Sequence, residues 1–167
     1  EKEYIFKKQE KIKEYILVDG YNVIFAWQEL RELAAKNIDA ARDRLIDILS
    51  SYKAYIDAKL ILVFDAYKVP DHKTEVISQH NIYIVYTKTA ETADQYIEKT
   101  VRDLSKKYRI TVVTSDGIEQ IIIRSAGCLL MSSRELYEEI NRVAKNALEE
   151  HRDKNKLSKN YLLDSLS

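Results

Sequence analysis

The sequence is poor in the residues that interrupt regular structure, with three glycines and one proline among 167 residues. That scarcity excludes collagen-like repeats and flexible linkers, and it implies a helix-rich globular chain. Cysteine is nearly absent too. Cys128 is the only one, set in an apolar run, so no internal disulfide forms and a small core residue is its plain reading. This usage fits a reducing, cytoplasmic compartment. The three histidines, His72, His80 and His151, share no metal-binding spacing and have no cysteines nearby, which argues against zinc. No apolar run approaches a membrane span, and the first residues lack a signal-peptide layout, so a soluble protein is expected. Neither sign of charge is in excess: 27 basic and 27 acidic side chains cancel. A broad cationic surface for nucleic acid is thereby disfavoured, although carboxylates committed to one site can hide local basic patches inside a neutral total. Gly-rich phosphate loops, nucleophile elbows and dinucleotide fingerprints are also missing.

What remains is 46% hydrophobic, with twelve tyrosines, in a length suited to one domain with a single core. Tyrosine serves equally as half-buried core and as a platform for base stacking, so the excess alone decides nothing. A chain opening on Glu1 rather than Met reads as a domain excised from a larger multidomain protein or as a processed chain.

Three divisions follow from the pattern along the chain. Residues 1–14 are a charged lead-in, residues 15–150 a regular alternation of short β-branched runs and amphipathic stretches, and residues 151–167 a polar tail with a late Tyr161-Leu162-Leu163 patch. Strands are expected at 15–19, 60–65, 82–86, 110–114 and 127–131. Helices are expected at 23–36, 40–56, 92–108 and 117–125, with a last one opened by the capping-box pair Ser132 and Glu135 and running to about 150. Such alternation predicts an α/β domain: a mostly parallel sheet with helices on both faces and all strand carboxyl ends on one edge. The only long irregular connection in the body, 66–81, carries Pro70, Asp71, His72 and Lys73 and is a candidate flap beside that edge.

The chemistry concentrates in carboxylates at that edge. In Ile16-Leu17-Val18-Asp19-Gly20-Tyr21-Asn22 an apolar strand ends in an aspartate, an expensive residue to desolvate unless a cap, a partner or a metal compensates it. Asp65 and Asp116 end two further strands, and Asp94 falls in the first turn of the helix after the third strand. Clustered carboxylates suit hard divalent cations such as Mg2+ or Mn2+, and these in turn suit phosphodiester hydrolysis. Each residue also has a plainer role available. Asp116 and Asp94 fit helix caps or first-turn acids, Asp65 fits a turn former, Asn22 a cap, and Glu91 an exposed first-turn acid.

Taken in order, Asp19-Gly20-Tyr21-Asn22, Phe64-Asp65-Ala66, Glu91-Thr92-Ala93-Asp94 and Thr114-Ser115-Asp116-Gly117-Ile118-Glu119-Gln120 resemble the NYN branch of the PIN-like ribonucleases, and within it the YacP-like subfamily. The resemblance spans about residues 15–150. It implies a Rossmann-like three-layer domain, a five-stranded sheet in the order 3-2-1-4-5, and an acidic pocket for Mg2+ or Mn2+. It also implies endoribonuclease activity on RNA, with messenger RNA on the ribosome as the substrate of related enzymes. By position, Asp19, Asp94 and Asp116 match the acidic core of the pocket, and Asp65 and Glu91 match its neighbours. Asn22 matches another neighbour of the pocket, and in the mechanism expected here it orients substrate or solvent. The acid that PIN domains contribute from an early helix has no clear counterpart among Glu29, Glu32, Asp43 and Asp47. Lys68, Lys73 and Lys88 lie in or near loops at the same edge, where they can contact phosphates.

The reading is therefore a metal-dependent endoribonuclease. Its main rival is a degenerate PIN-like module that binds RNA or the ribosome without cutting. A phosphoryl-transfer domain using Asp19 as nucleophile ranks last, because Tyr21 stands where such an enzyme needs a second acid.

Overall fold

The computed structural model describes residues 13–66 and 74–166. The chain begins with β1 (Glu14–Asp19), followed by α1 (Gly20–Ala26), α2 (Gln28–Lys36) and α3 (Ile38–Lys53). Then come β2 (Lys59–Phe64), β3 (Glu75–Gln79), β4 (Ile82–Tyr86), α4 (Ala93–Leu104) and β5 (Arg109–Val113). α5 (Gly117–Ser125), β6 (Leu129–Met131) and α6 (Ser133–Leu166) complete it. The order across the sheet is β3-β4-β2-β1-β5-β6, parallel throughout except for the β3–β4 hairpin.

The three-layer α/β/α architecture matches the expectation, and five of the strands stand in the anticipated order. The sheet has six strands rather than five, because Glu75–Gln79 of the supposed loop pairs with β4 at the edge. That strand escapes the sequence pattern for a physical reason: four of its five residues are exposed, so it carries no apolar alternation. Pro70, Asp71, His72 and Lys73, the centre of the expected flap, lie outside the described residues.

Two further elements differ from the periodicity. The helix expected over 23–36 breaks at Trp27, whose backbone is extended at φ −88° and ψ 125°. The indole N–H donates to the carbonyl of Ser133 at 2.8 Å, so a buried tertiary bond fixes the break. The last helix opens with the Ser132–Glu135 capping box in place, at 3.1 and 3.2 Å, but continues past 150 to Leu166. No glycine or proline follows Ser132, so nothing in the sequence stops it.

Two apolar clusters sandwich the sheet. Val18, Leu60, Leu62, Phe64 and Ile84 face α1, α2, α3 and the first turns of α6, through Ile24, Leu30, Leu45, Leu49 and Leu136. Leu17, Val63, Val85 and Val112 face α4 and α5, through Ala93, Ile97, Val101 and Ile123. Alternate residues of each central strand thus serve opposite layers. Each fully buried Leu or Ile contributes about 1.5–3 kcal/mol. Gly20 fixes how α1 leaves β1: a Cβ there would run into the ring of Phe64 and lie 3.0 Å from the carbonyl of Val63. Only glycine lets the turn after Asp19 pass this closely over β2.

Candidate metal centre

The chain runs from β1 outward through β2 to β4, then crosses back to β5 on the other side of β1. The strand order therefore reverses between β1 and β5, the place where open α/β sheets bind ligands outside their strand carboxyl ends. Asp19, Asp94 and Glu119 meet at this edge. One carboxylate oxygen from each lies within 4.8 Å of the others.

Each acid is placed by its own element. Asp19 ends the central strand and caps α1, accepting from the Asn22 N–H at 3.5 Å. Asp94 sits in the first turn of α4, which opens with a Thr92–Gln95 capping box. Asp65 steadies the same turn by accepting a hydrogen bond from the Ala93 N–H. Glu119 lies in the first turn of α5, whose cap is Asp116, accepting from the N–H groups of Ile118 and Glu119 at 3.0 and 3.2 Å.

The electrostatics of the cluster are unfavourable as it stands. Burial, followed by the charge of Asp94, pushes the Asp19 carboxyl up from 3.8 to about 7. Burial also pushes Glu119 up, from 4.5 to about 9, against a lowering hydrogen bond from Thr114 and with Asp19 and Asp94 adding to the rise. Asp65 is raised by burial as well, tempered by the Ala93 N–H. Glu119 is only 4% exposed. Its Oε2 accepts from the Thr114 hydroxyl at 2.8 Å, while its Oε1 is buried without a hydrogen-bond partner. Among the described residues, no lysine or arginine is ion-paired with any of the three acids. An all-oxygen donor set, mutual repulsion and an orphaned carboxylate oxygen together fit a hard divalent cation.

Comparisons with known proteins identify the family. The family model described as the YacP-like NYN domain matches residues 16–167. The chain belongs to the YacP-like NYN family. It is a nuclease-type domain. The Uncharacterized protein YacP of Bacillus subtilis (strain 168) is 40% identical over 129 residues, 77% of this chain and 75% of that protein. A crystal structure of a mutant of Rae1 (YacP) from Bacillus subtilis has a TM-score of 0.74 at 35% identity, covering 86% of this chain and 84% of the other. A second Rae1 (YacP) crystal structure gives 0.70 at 35% identity, over 90% and 88%.

Within this YacP-like NYN domain the sequence-derived candidates fall into distinct places. Asp19 and Asp94 are joined in the cluster, and Glu119 is the third member where Asp116 was expected. Asp116 lines a small cavity of about 160 Å3 together with Asp94 and Glu119, but its carboxylate is engaged as the α5 cap. Asp65 acts on Asp19 and Asp94 through charge, while its bond to Ala93 gives it the turn role as well. Glu91 stays out of the cluster; its carbonyl accepts from the Thr87 hydroxyl at 2.8 Å. The Asn22 side chain faces inward, its Oδ1 accepting from the Ser115 N–H at 2.8 Å and from the Ser133 hydroxyl at 3.0 Å. It ties the turns after β1 and β5 to the start of α6. Lys88 is exposed in the turn before α4, and Lys68 and Lys73 lie outside the described residues. Among the described residues no helix is long and apolar enough to cross a membrane.

Glu119 had a legible signal. It stands four residues before Ile123, so the two share the inward stripe of α5, and a glutamate on an apolar stripe needs a reason.

Proposed function

We propose that this domain is a metal-dependent endoribonuclease that hydrolyses phosphodiester bonds in single-stranded RNA. The observation that carries the reading is the convergence of Asp19, Asp94 and Glu119 within 4.8 Å at the switch point of a nuclease-type fold. The three would hold Mg2+ or Mn2+. When bound, such a cation lowers the pKa of an attacking water and offsets charge that develops on the scissile phosphate. The chain's own contribution is to hold the carboxylates rigidly. Asp65 fixes the turn bearing Asp94, Asp116 and Thr114 fix the turn bearing Glu119, and Asn22 locks the turn after Asp19. The amino ends of α4 and α5 add partial positive charge at the edge where a phosphate arrives. Asp116 borders the same cavity and is the rim acid of the site, while Lys88, with Lys68 and Lys73, supplies phosphate contacts. The proposed substrate includes messenger RNA on a ribosome, in a cytoplasmic setting, and the family likeness is what supports that part of the reading.

The test is cleavage of end-labelled single-stranded RNA, free and in ribosome-containing reactions, with Mn2+, Mg2+ or EDTA. Wild-type protein cuts with metal and not with EDTA. Asp94→Asn and Glu119→Gln lose about 100-fold or more, the scale for removing one charge-stabilising group. RNA bound but left uncut in every reaction assigns the domain to the binding-module alternative. Cutting that survives EDTA or both substitutions overturns the mechanism.

A further inference from the structure

A second cavity, of about 720 Å3, lies on the opposite side of the turn that carries Asp116. It is a groove between α3 and α6, closed at one end by the break between α1 and α2. Ser115 lines this groove and Asp116 lines the small acidic cavity, so consecutive residues of one turn face the two spaces. Its volume falls in the range of ligand sites, about 300–1,000 Å3. The groove is aromatic: Trp27 lies against Tyr137 with ring centroids 5.5 Å apart, and Tyr52 and Tyr55 also line it. Tyr55 and Tyr137 are 61% and 49% exposed, so both leave ring surface open to a ligand.

We infer that this groove is a base-binding subsite for single-stranded RNA, holding a nucleotide flanking the scissile phosphate by stacking on Tyr55 and Tyr137. The inference rests on the ribonuclease reading for its substrate class. Two arginines, Arg44 and Arg134, line the same groove. Each is paired only with a neighbouring glutamate, Glu29 and Glu138, at 3.3 Å on the exposed surface. Exposed pairs of this kind contribute little, so a phosphate displaces them readily. With acidic residues on the rim as well and a net charge of zero, stacking rather than phosphate neutralisation supplies the affinity. Stacking requires free base faces, so the groove takes unpaired nucleotides and rejects duplex.

The protein carries its own reporter, because Trp27 is its single tryptophan and lines the groove. Full-length protein in EDTA is titrated with a mixed-sequence single-stranded oligoribonucleotide and with its duplex, following tryptophan emission. The single strand quenches emission and the duplex does not. Tyr55→Ala and Tyr137→Ala each weaken binding about tenfold, while Tyr137→Phe, which keeps the ring, binds as wild type. In metal-containing reactions Tyr55→Ala raises KM and leaves kcat unchanged. Quenching with no cleavage in any metal-containing reaction, those with ribosomes included, supports the groove and removes the ribonuclease reading. Cleavage with no quenching and an unchanged KM for Tyr55→Ala overturns the groove alone. Quenching that tracks self-association in sedimentation, with or without RNA, assigns the face to a second copy of the chain and likewise overturns it.

Discussion

Replacing Asp19 with Asn should make the metal-free protein more stable at pH 8 while removing its response to metal. The carboxyl titrates at about 7 in the folded chain, against 3.8 when exposed. The folded state therefore keeps a proton that the unfolded chain gives up across this interval, and stability falls as pH rises through it. Above pH 7 the charge is carried at a cost of roughly 4 kcal/mol. Asn carries no charge and preserves an oxygen toward the Asn22 N–H, but its amide N–H groups need partners in a site only 7% exposed. A net gain of about 2 kcal/mol remains, or about 4–8 °C in Tm for a chain of this size. Thermal or urea unfolding in EDTA measures it at pH 8 and again near pH 4, where the advantage disappears. Adding Mn2+ at 100 times its Kd should stabilise wild type by about 2.7 kcal/mol and the variant hardly at all. A variant less stable than wild type at pH 8, or an advantage that persists unchanged at pH 4, refutes the reasoning.

Other outcomes follow from single contacts. Gly20→Ala forces a methyl against Phe64 and should cost about 1–3 kcal/mol in urea unfolding, with Mn2+ affinity falling as Asp19 moves. Thr114→Val removes the hydroxyl that donates to Glu119 and accepts from the Asp116 N–H, so calorimetry should show metal affinity reduced about 10-fold or more. Asp116→Ala should cost about 1 kcal/mol as a lost cap, and weaken Mn2+ binding less than Glu119→Gln does.

The legibility of the sequence followed how much each feature depends on distant contacts. Asp19 stood out because its strand is apolar to its last residue, a property written entirely in local sequence. The alternation of buried runs with amphipathic helices made a mostly parallel sheet legible, while the order of its five strands came only from the resemblance of the motifs to the NYN ribonucleases. Asp116 and Glu119 occur in one motif, and both belong to the first turn region of α5; their division into cap and cluster member depends on the inward stripe shared with Ile123. The Trp27 break was hidden because the apolar positions of α1 and α2 run on in one helical period, and the bond that sets it reaches 106 residues along the chain. β3 was hidden by its exposure, and the groove by its makers: tyrosines and arginines on helices that the sequence presents as ordinary amphipathic faces.

The central claim is that Asp19, Asp94 and Glu119 together hold a divalent cation. Anomalous diffraction from a crystal soaked in Mn2+ tests it without relying on activity. A peak is expected within about 2.5 Å of one oxygen from each of the three carboxylates, with the otherwise unpaired Oε1 of Glu119 turned to the ion. A map with no peak there, or with manganese held by Asp116 and Glu98 away from Asp19, contradicts it.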